Sequence, residues 1–275
     1  VESKNVFRLS TEAEHEYCNE LECLGADFIS KEFRTYWNLF ESLNVEVFNI
    51  SHIISKINIK DLKPGTLIKD CPEPFNNLTN VINIYKEIHI LFEKTKKDEK
   101  DIIKKLISEL CIGVSFDNRV YKLNSLYAID KNEFNIFDFI TNSVKFLHEF
   151  KEHHINPDNV VINSIPTFTS AIAINILSKY TSQDFMDHYT SGNFSTMQVC
   201  RFFSKRQDEI IKEPELKNKF ISIPMFMARE EFKSLKELSI PGNFKDPLNL
   251  DILLKDDIDG ATKDFLITIG VKQLN

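Results

Sequence analysis

Glycine is scarce in this chain, with seven in 275 residues. Each glycine in a helix interior costs about 1 kcal/mol relative to alanine, so its scarcity suits a helical fold. It also leaves no glycine-rich loop of the kind that cradles phosphates. No apolar run is long enough to span a bilayer. A surplus of positive charge is missing too: 34 Lys and Arg stand against 41 Asp and Glu, a net charge of −7. That balance argues against free, non-specific nucleic-acid binding, which needs a positive footprint to release counterions. The cysteines (Cys18, Cys23, Cys71, Cys111 and Cys200) are odd in number and scattered. They lack the paired spacing of a zinc knuckle and read as reduced thiols of an intracellular protein, cytoplasmic and nuclear sites being indistinguishable. The chain begins at Val1 rather than Met, as expected of a processed product or a segment of a longer polypeptide.

Phenylalanine, in contrast, is abundant, at 23 residues. Such a surplus predicts either a large aromatic core or an apolar groove left open for a partner. Helical spacing dominates the chain. Phe28, Ile29, Phe33, Tyr36, Trp37, Phe40 and Leu43 predict a helix over 27–43 with one inward aromatic face. Leu78, Val81, Ile82, Tyr85, Ile88 and Phe92 mark a second helix. Ile102, Ile103, Leu106 and Leu110 mark a third, with Asp98 as its cap. The stretch 134–154 predicts an amphipathic helix with Ile136, Ile140, Val144, Leu147 and Phe150 on one side, followed by a mostly apolar helix over 167–180. A helix capped by Ser195 is expected to run to Pro214, and others over 182–189, 228–238 and 261–269. Between the helices, residues 113–123 alternate around Asp117-Asn118, the pattern of a short hairpin.

The expected fold is therefore mainly α: a multi-helical orthogonal or irregular bundle with one small β-hairpin near 114–123. It forms either a single domain over 1–275 or two lobes divided near 114–132, with 1–113 as the N-terminal lobe and 133–275 as the C-terminal lobe.

Several residues carry candidate chemistry. His148 and Glu152 are spaced i, i+4 on a helix, as are Glu149 and His153, and Asp158 follows the Asn156-Pro157 stop. Such pairs can offer two ligands to a divalent metal or an acid–base couple, but the order is not HExxH and a third ligand has to come from elsewhere. Cys200 has Arg201, Lys205 and Arg206 nearby in sequence to lower its pKa, with His188 upstream, yet it falls on an inward face beside Met197 and Phe203. Asp257-Ile-Asp259-Gly260 has part of a calcium-loop pattern, with Lys255 and Leu266 at positions where carboxylates are required. A helix at 98–112 followed by the hairpin matches half of a winged-helix unit. Lys96, Lys97, Lys104, Lys105, Arg119 and Lys122 would give it a basic rim for nucleic acid.

The balance points away from catalysis and from any cofactor. The expected function is a non-catalytic helical protein-interaction or scaffold module, belonging to a larger protein or complex, that binds a protein partner through an apolar, aromatic groove. The alternatives are a metal-dependent enzyme built on the His148–Asp158 cluster and a nucleic-acid-binding module at 94–123.

Overall fold

In a computed structural model, residues 6–9, 18–148, 155–156, 158–241, 254 and 259–274 are described. The chain starts with β1 (Val6–Phe7), α1 (Cys18–Cys23), β2 (Asp27–Phe28) and α2 (Trp37–Ser42). It continues through α3 (Ile50–Ile59), α4 (Leu78–Glu93), α5 (Lys100–Ser108), β3 (Gly113–Val114), β4 (Val120–Tyr121) and β5 (Leu126–Tyr127). Next come α6 (Lys131–Phe137), β6 (Lys145–Phe146), α7 (Val160–Asn163), α8 (Ser170–Leu177), α9 (Ser182–Thr190) and α10 (Thr196–Ser204). The last elements are α11 (Gln207–Ile211), α12 (Pro214–Phe220), β7 (Phe226–Ala228), β8 (Glu231–Lys233) and α13 (Gly260–Thr268). The fold is mainly α, and every sheet among the described residues has only two short strands.

The chain divides into two compact units: Val1–Ala128 with Lys145–Pro166, and Ile129–Val144 with Thr167–Asn275. In the first unit, β1 and β2 pair in parallel, β3 and β4 antiparallel, and β5 and β6 in parallel. The β3–β4 hairpin turns at Asn118, whose φ of 55° is the left-handed geometry that Asn tolerates. Asn77 starts α4 by accepting a hydrogen bond from the Asn80 N–H at 2.9 Å. Val81, Ile84, Tyr85, Ile88 and Leu91 of α4 are buried, as the helical spacing predicts. Glu99, not Asp98, occupies the cap position of α5, and it makes no side-chain capping bond. Polar groups tie α4 to later elements. The Tyr85 hydroxyl donates to the Ile112 carbonyl at 2.6 Å, and burial pushes its pKa up. The Asn159 amide donates to the Tyr85 carbonyl at 3.1 Å, while its oxygen accepts from the Val161 N–H at 2.9 Å and caps α7.

The second unit is held by rings. Phe137 of α6 meets Phe202 of α10 edge-on at 4.7 Å and Phe168 at 5.0 Å. Phe202 continues to Phe203 at 5.2 Å, Phe203 to Phe220 at 4.9 Å, and Phe220 to Phe265 of α13 at 5.6 Å. Such tilted and edge-on pairs add about 0.5–1.5 kcal/mol each beyond their buried area. Arg206 lays its guanidinium over Phe202, 4.1 Å from the ring centre, and gives both Glu133 oxygens a hydrogen bond, at 2.7 and 2.9 Å. Both bonds come from the single nitrogen Nη2, which an ammonium can replace, but an ammonium cannot reproduce the planar stack on Phe202, so Arg206→Lys should destabilise this unit by about 0.5–1 kcal/mol in urea unfolding. An unchanged midpoint would refute that reading.

Asp259 caps α13, accepting from the Thr262 N–H at 2.9 Å and from Arg201 at 2.7 Å. These donors, Thr262 first and then Arg201, hold its carboxyl down at a pKa of about 2. The lowered folded-state value means that the cap's contribution is full above the unfolded carboxylate range, near ~4, and fades as pH falls toward about 2. In an acid titration followed by circular dichroism, Asp259→Asn should lack that component.

Four local expectations are corrected. The helix expected over 134–154 stops early: α6, capped by Asp130, ends at Phe137, a 3-10 turn covers Asp138–Ile140, and β6 follows. Ile140, Val144 and Leu147 are nevertheless buried, with Ile140 and Val144 in the second unit and Leu147 in the first. The apolar spacing therefore marked which residues are buried without marking the backbone that buries them; Phe150 lies outside the described residues. The helix from Ser195 breaks at Lys205-Arg206 into α10 and α11, and Pro214 starts α12 instead of ending the run, because its missing N–H is unneeded at a first helical position. Residues 226–233 form the β7–β8 hairpin and not a helix. Arg229 at φ 60° makes its two-residue turn with Glu230; Phe226 and Ala228 on one face and Phe232 on the other are all buried. The fourth correction is at 27–43, where β2, a 3-10 turn and α2 replace the single helix; Phe28 packs against the core, but Phe33, Tyr36, Leu39 and Leu43 are exposed.

Candidate functional site

The segment after β2 is a 3-10 turn over Lys31–Tyr36 that runs into α2. Residues three apart eclipse one another in a 3-10 turn, and residues three or four apart share a face of an α-helix. Phe33, Tyr36, Leu39 and Leu43 thus form one stripe, about 15–20 Å long at the rise per residue of these two helices. They are 50%, 57%, 53% and 63% exposed, and α2 has no buried residue. A six-residue helix is marginal in water unless a packed face supports it.

Polar contacts hold the ends of this segment. The Ser30 hydroxyl accepts from the Glu32 N–H at 3.4 Å at its start. Asn44 at φ 58° turns the chain after Leu43, and the Val45 N–H closes on the Phe40 carbonyl at 2.9 Å. Arg8 donates to Glu41 at 3.0 Å and to the Val45 carbonyl at 3.2 Å. The base beneath is aromatic: Phe48 lies 5.2 Å from both Phe7 and Phe28, and His52 stands 4.6 Å from Phe7. His52 accepts the Asn49 N–H through Nδ1 at 3.1 Å, and its Nε2 meets Glu46 at 3.0 Å, completing the cap of α3.

Phe33 is the only exposed phenylalanine among the described residues, and sixteen others are buried. The aromatic surplus therefore goes mostly into cores, with Phe33 and Tyr36 left exposed together. The spacing of 27–43 located the stripe in the sequence. What it did not reveal is that these four side chains stay exposed.

The residues with candidate chemistry are dispersed. Glu149, Glu152 and His153 lie outside the described residues. His148 stacks on Phe116 at 5.9 Å, and its N–H donates to the Val114 carbonyl at 2.7 Å. Asp158 is exposed, and its N–H closes a turn on the Asn156 side chain at 3.0 Å. Among the described residues no group of three or more His, Cys, Asp or Glu is placed to hold a metal ion. Cys200 is fully buried on the inner face of α10, out of reach of a substrate. His188 lies 5.3 Å from Phe139 and 5.9 Å from Tyr180, in an aromatic cluster.

Of the basic rim, Lys96 and Lys97 are exposed on the link between α4 and α5, and Lys104 and Lys105 are exposed on α5. Arg119 is drawn into the hairpin: it donates to the Gly65 carbonyl at 2.6 Å and lies 3.6 Å from Asp117. Lys122 edges a cavity of about 280 Å³ beside Cys111, whose thiol is pushed up to about 11, chiefly by burial. At that value the thiol is protonated at neutral pH and a poor nucleophile.

Comparison with family models, curated proteins and solved structures finds no match for this chain. No helix among the described residues is long and apolar enough to cross a membrane.

Proposed function

We propose that this chain is a non-catalytic helical protein-interaction or scaffold module that receives a partner on the α2 face. The observation that carries the reading is the exposed stripe Phe33, Tyr36, Leu39 and Leu43, which runs from the 3-10 turn along α2 to its C-cap. A contiguous apolar strip on an otherwise ordinary surface is how helix-in-groove partners are met, through anchors at i, i+3 and i+7 spacing. Covering the strip would also add packing to α2, whose Trp37 and Phe40 are only half-buried. The reading sets the module inside the cell, in keeping with Cys23, Cys71 and Cys111 standing as thiols.

The test is photo-crosslinking from position 36 in cells, compared with a Phe33→Glu/Leu39→Glu variant. The expected result is a discrete crosslinked protein with the parent chain and its loss in the variant. The variant's melting temperature should stay unchanged, because exposed substitutions shift stability by within about 0.5 kcal/mol. Failure to crosslink any protein, or equal crosslinking by the variant, would overturn the proposal.

A further inference from the structure

The spacing of the α2 stripe is symmetric about its own centre. Phe33 and Tyr36 lie about 6 Å apart along the 3-10 turn, Tyr36 and Leu39 about 5 Å, and Leu39 and Leu43 about 6 Å along α2. The order of the side chains is not symmetric: two rings stand at one end and two leucines at the other. Two such stripes laid antiparallel place every ring on a leucine, Phe33 on Leu43 and Tyr36 on Leu39. Each contact then occurs twice, as a two-fold interface requires. A parallel arrangement would set the exposed Glu32 of one copy against that of the other, whereas the antiparallel one sets it near Asn44. Beside the stripe, Glu41 is already paired with Arg8 at 3.0 Å, and the exposed Thr35, Asn38 and Ser42 are uncharged. These residues give the flank little with which to select a charged helix.

We infer that the partner received on the α2 face is a second copy of this chain, the two stripes packing antiparallel about a two-fold axis near Asn38. The inference rests on the reading of that face given above and names its occupant. Four half-exposed side chains offer a few hundred Å² per copy, less than the ~800 Å² per partner of a standard interface. The dimer is therefore weak, with Kd on the order of 10–100 µM. Each copy carries a net charge of −7, so the copies repel at long range and what holds them is apolar contact. Added salt screens that repulsion and tightens the dimer, whereas it would weaken the hold on a partner of opposite charge.

The experiment is sedimentation equilibrium of the full chain from about 5 µM to about 1 mM, at low and high sodium chloride. A reversible monomer–dimer equilibrium is expected, tighter at high salt. Phe33→Lys and Leu43→Glu, made separately, should each weaken it at least about tenfold, since each sets a charge against an apolar side chain of the other copy. Both positions are exposed, so the melting temperature in dilute solution should not change. An equimolar mixture of the two variants should associate again. Antiparallel pairing brings the new ammonium of one against the new carboxylate of the other and keeps one native Phe33–Leu43 contact. A monomer at every concentration, self-association that neither variant weakens, or no recovery in the mixture each overturns the inference. A monomeric chain that crosslinks from position 36 to a different protein overturns the second copy and leaves the α2 face as a docking site. A monomeric chain that crosslinks to nothing removes both readings.

Discussion

Phe202→Ala should be the most damaging single truncation in the second unit, lowering its stability by about 3–5 kcal/mol. The ring is buried on α10, touches Phe137, Phe168 and Phe203, and carries the Arg206 guanidinium on its face. Removing it opens a cavity that the surrounding rings cannot close, because each is fixed by its own edge-on partner. It also strips Arg206 of its stack while leaving the Glu133 pair to hold a long side chain over empty space. For a unit of this size a loss on that scale lowers the melting temperature by roughly 10–20 °C. Hydrogen exchange should show the loss across 196–204. Phe33→Ala is the control: a ring of the same size, half exposed, whose removal should shift stability by within about 0.5 kcal/mol. Similar costs for the two substitutions would mean that the packing described for α10 is wrong.

Asn159→Ala should destabilise the first unit by about 2–4 kcal/mol, because a donor and an acceptor are removed from a site that water does not reach. Asn159 is 1% exposed, gives its amide N–H to the Tyr85 carbonyl and receives the Val161 N–H at the start of α7. The alanine variant leaves that helix N–H without an acceptor. Asn159→Asp separates the two roles. It keeps the acceptor for Val161 but sets a buried carboxylate against the Tyr85 carbonyl, which disfavours ionisation and raises the new carboxyl's pKa in the folded state. A raised acid pKa makes the folded state bind more protons than the unfolded one. The variant should therefore gain stability as pH falls from 7 toward about 4, against the usual trend of acid destabilisation. Urea midpoints at two pH values measure this, and a parallel loss with the parent chain would show that residue 159 is not enclosed as described.

The two sites differ in how far they could be read from residues alone. A helix start was legible where a side chain caps its own backbone: Ser195 before α10 needs only local geometry. The hairpin at Asp117-Asn118 was legible for the same reason, since a left-handed turn position selects a few residue types. The Asn159–Tyr85 contact was not legible, because it joins residues 74 apart and nothing near Asn159 marks it as buried. The helix forecast over 134–154 failed because an apolar spacing of three to four residues is met equally by a helix and by a turn leading into a strand. The choice was made by pairing with Leu126–Tyr127, distant in sequence.

By itself the sequence determined the helical class and most of the helix positions, because capping and apolar periodicity act over three or four residues. Only the tertiary structure decided that α2 keeps its aromatic stripe in solvent and that Arg119 is drawn into the hairpin. Those outcomes depend on which distant segments arrive to cover a surface, and a local pattern carries no record of what will be packed against it.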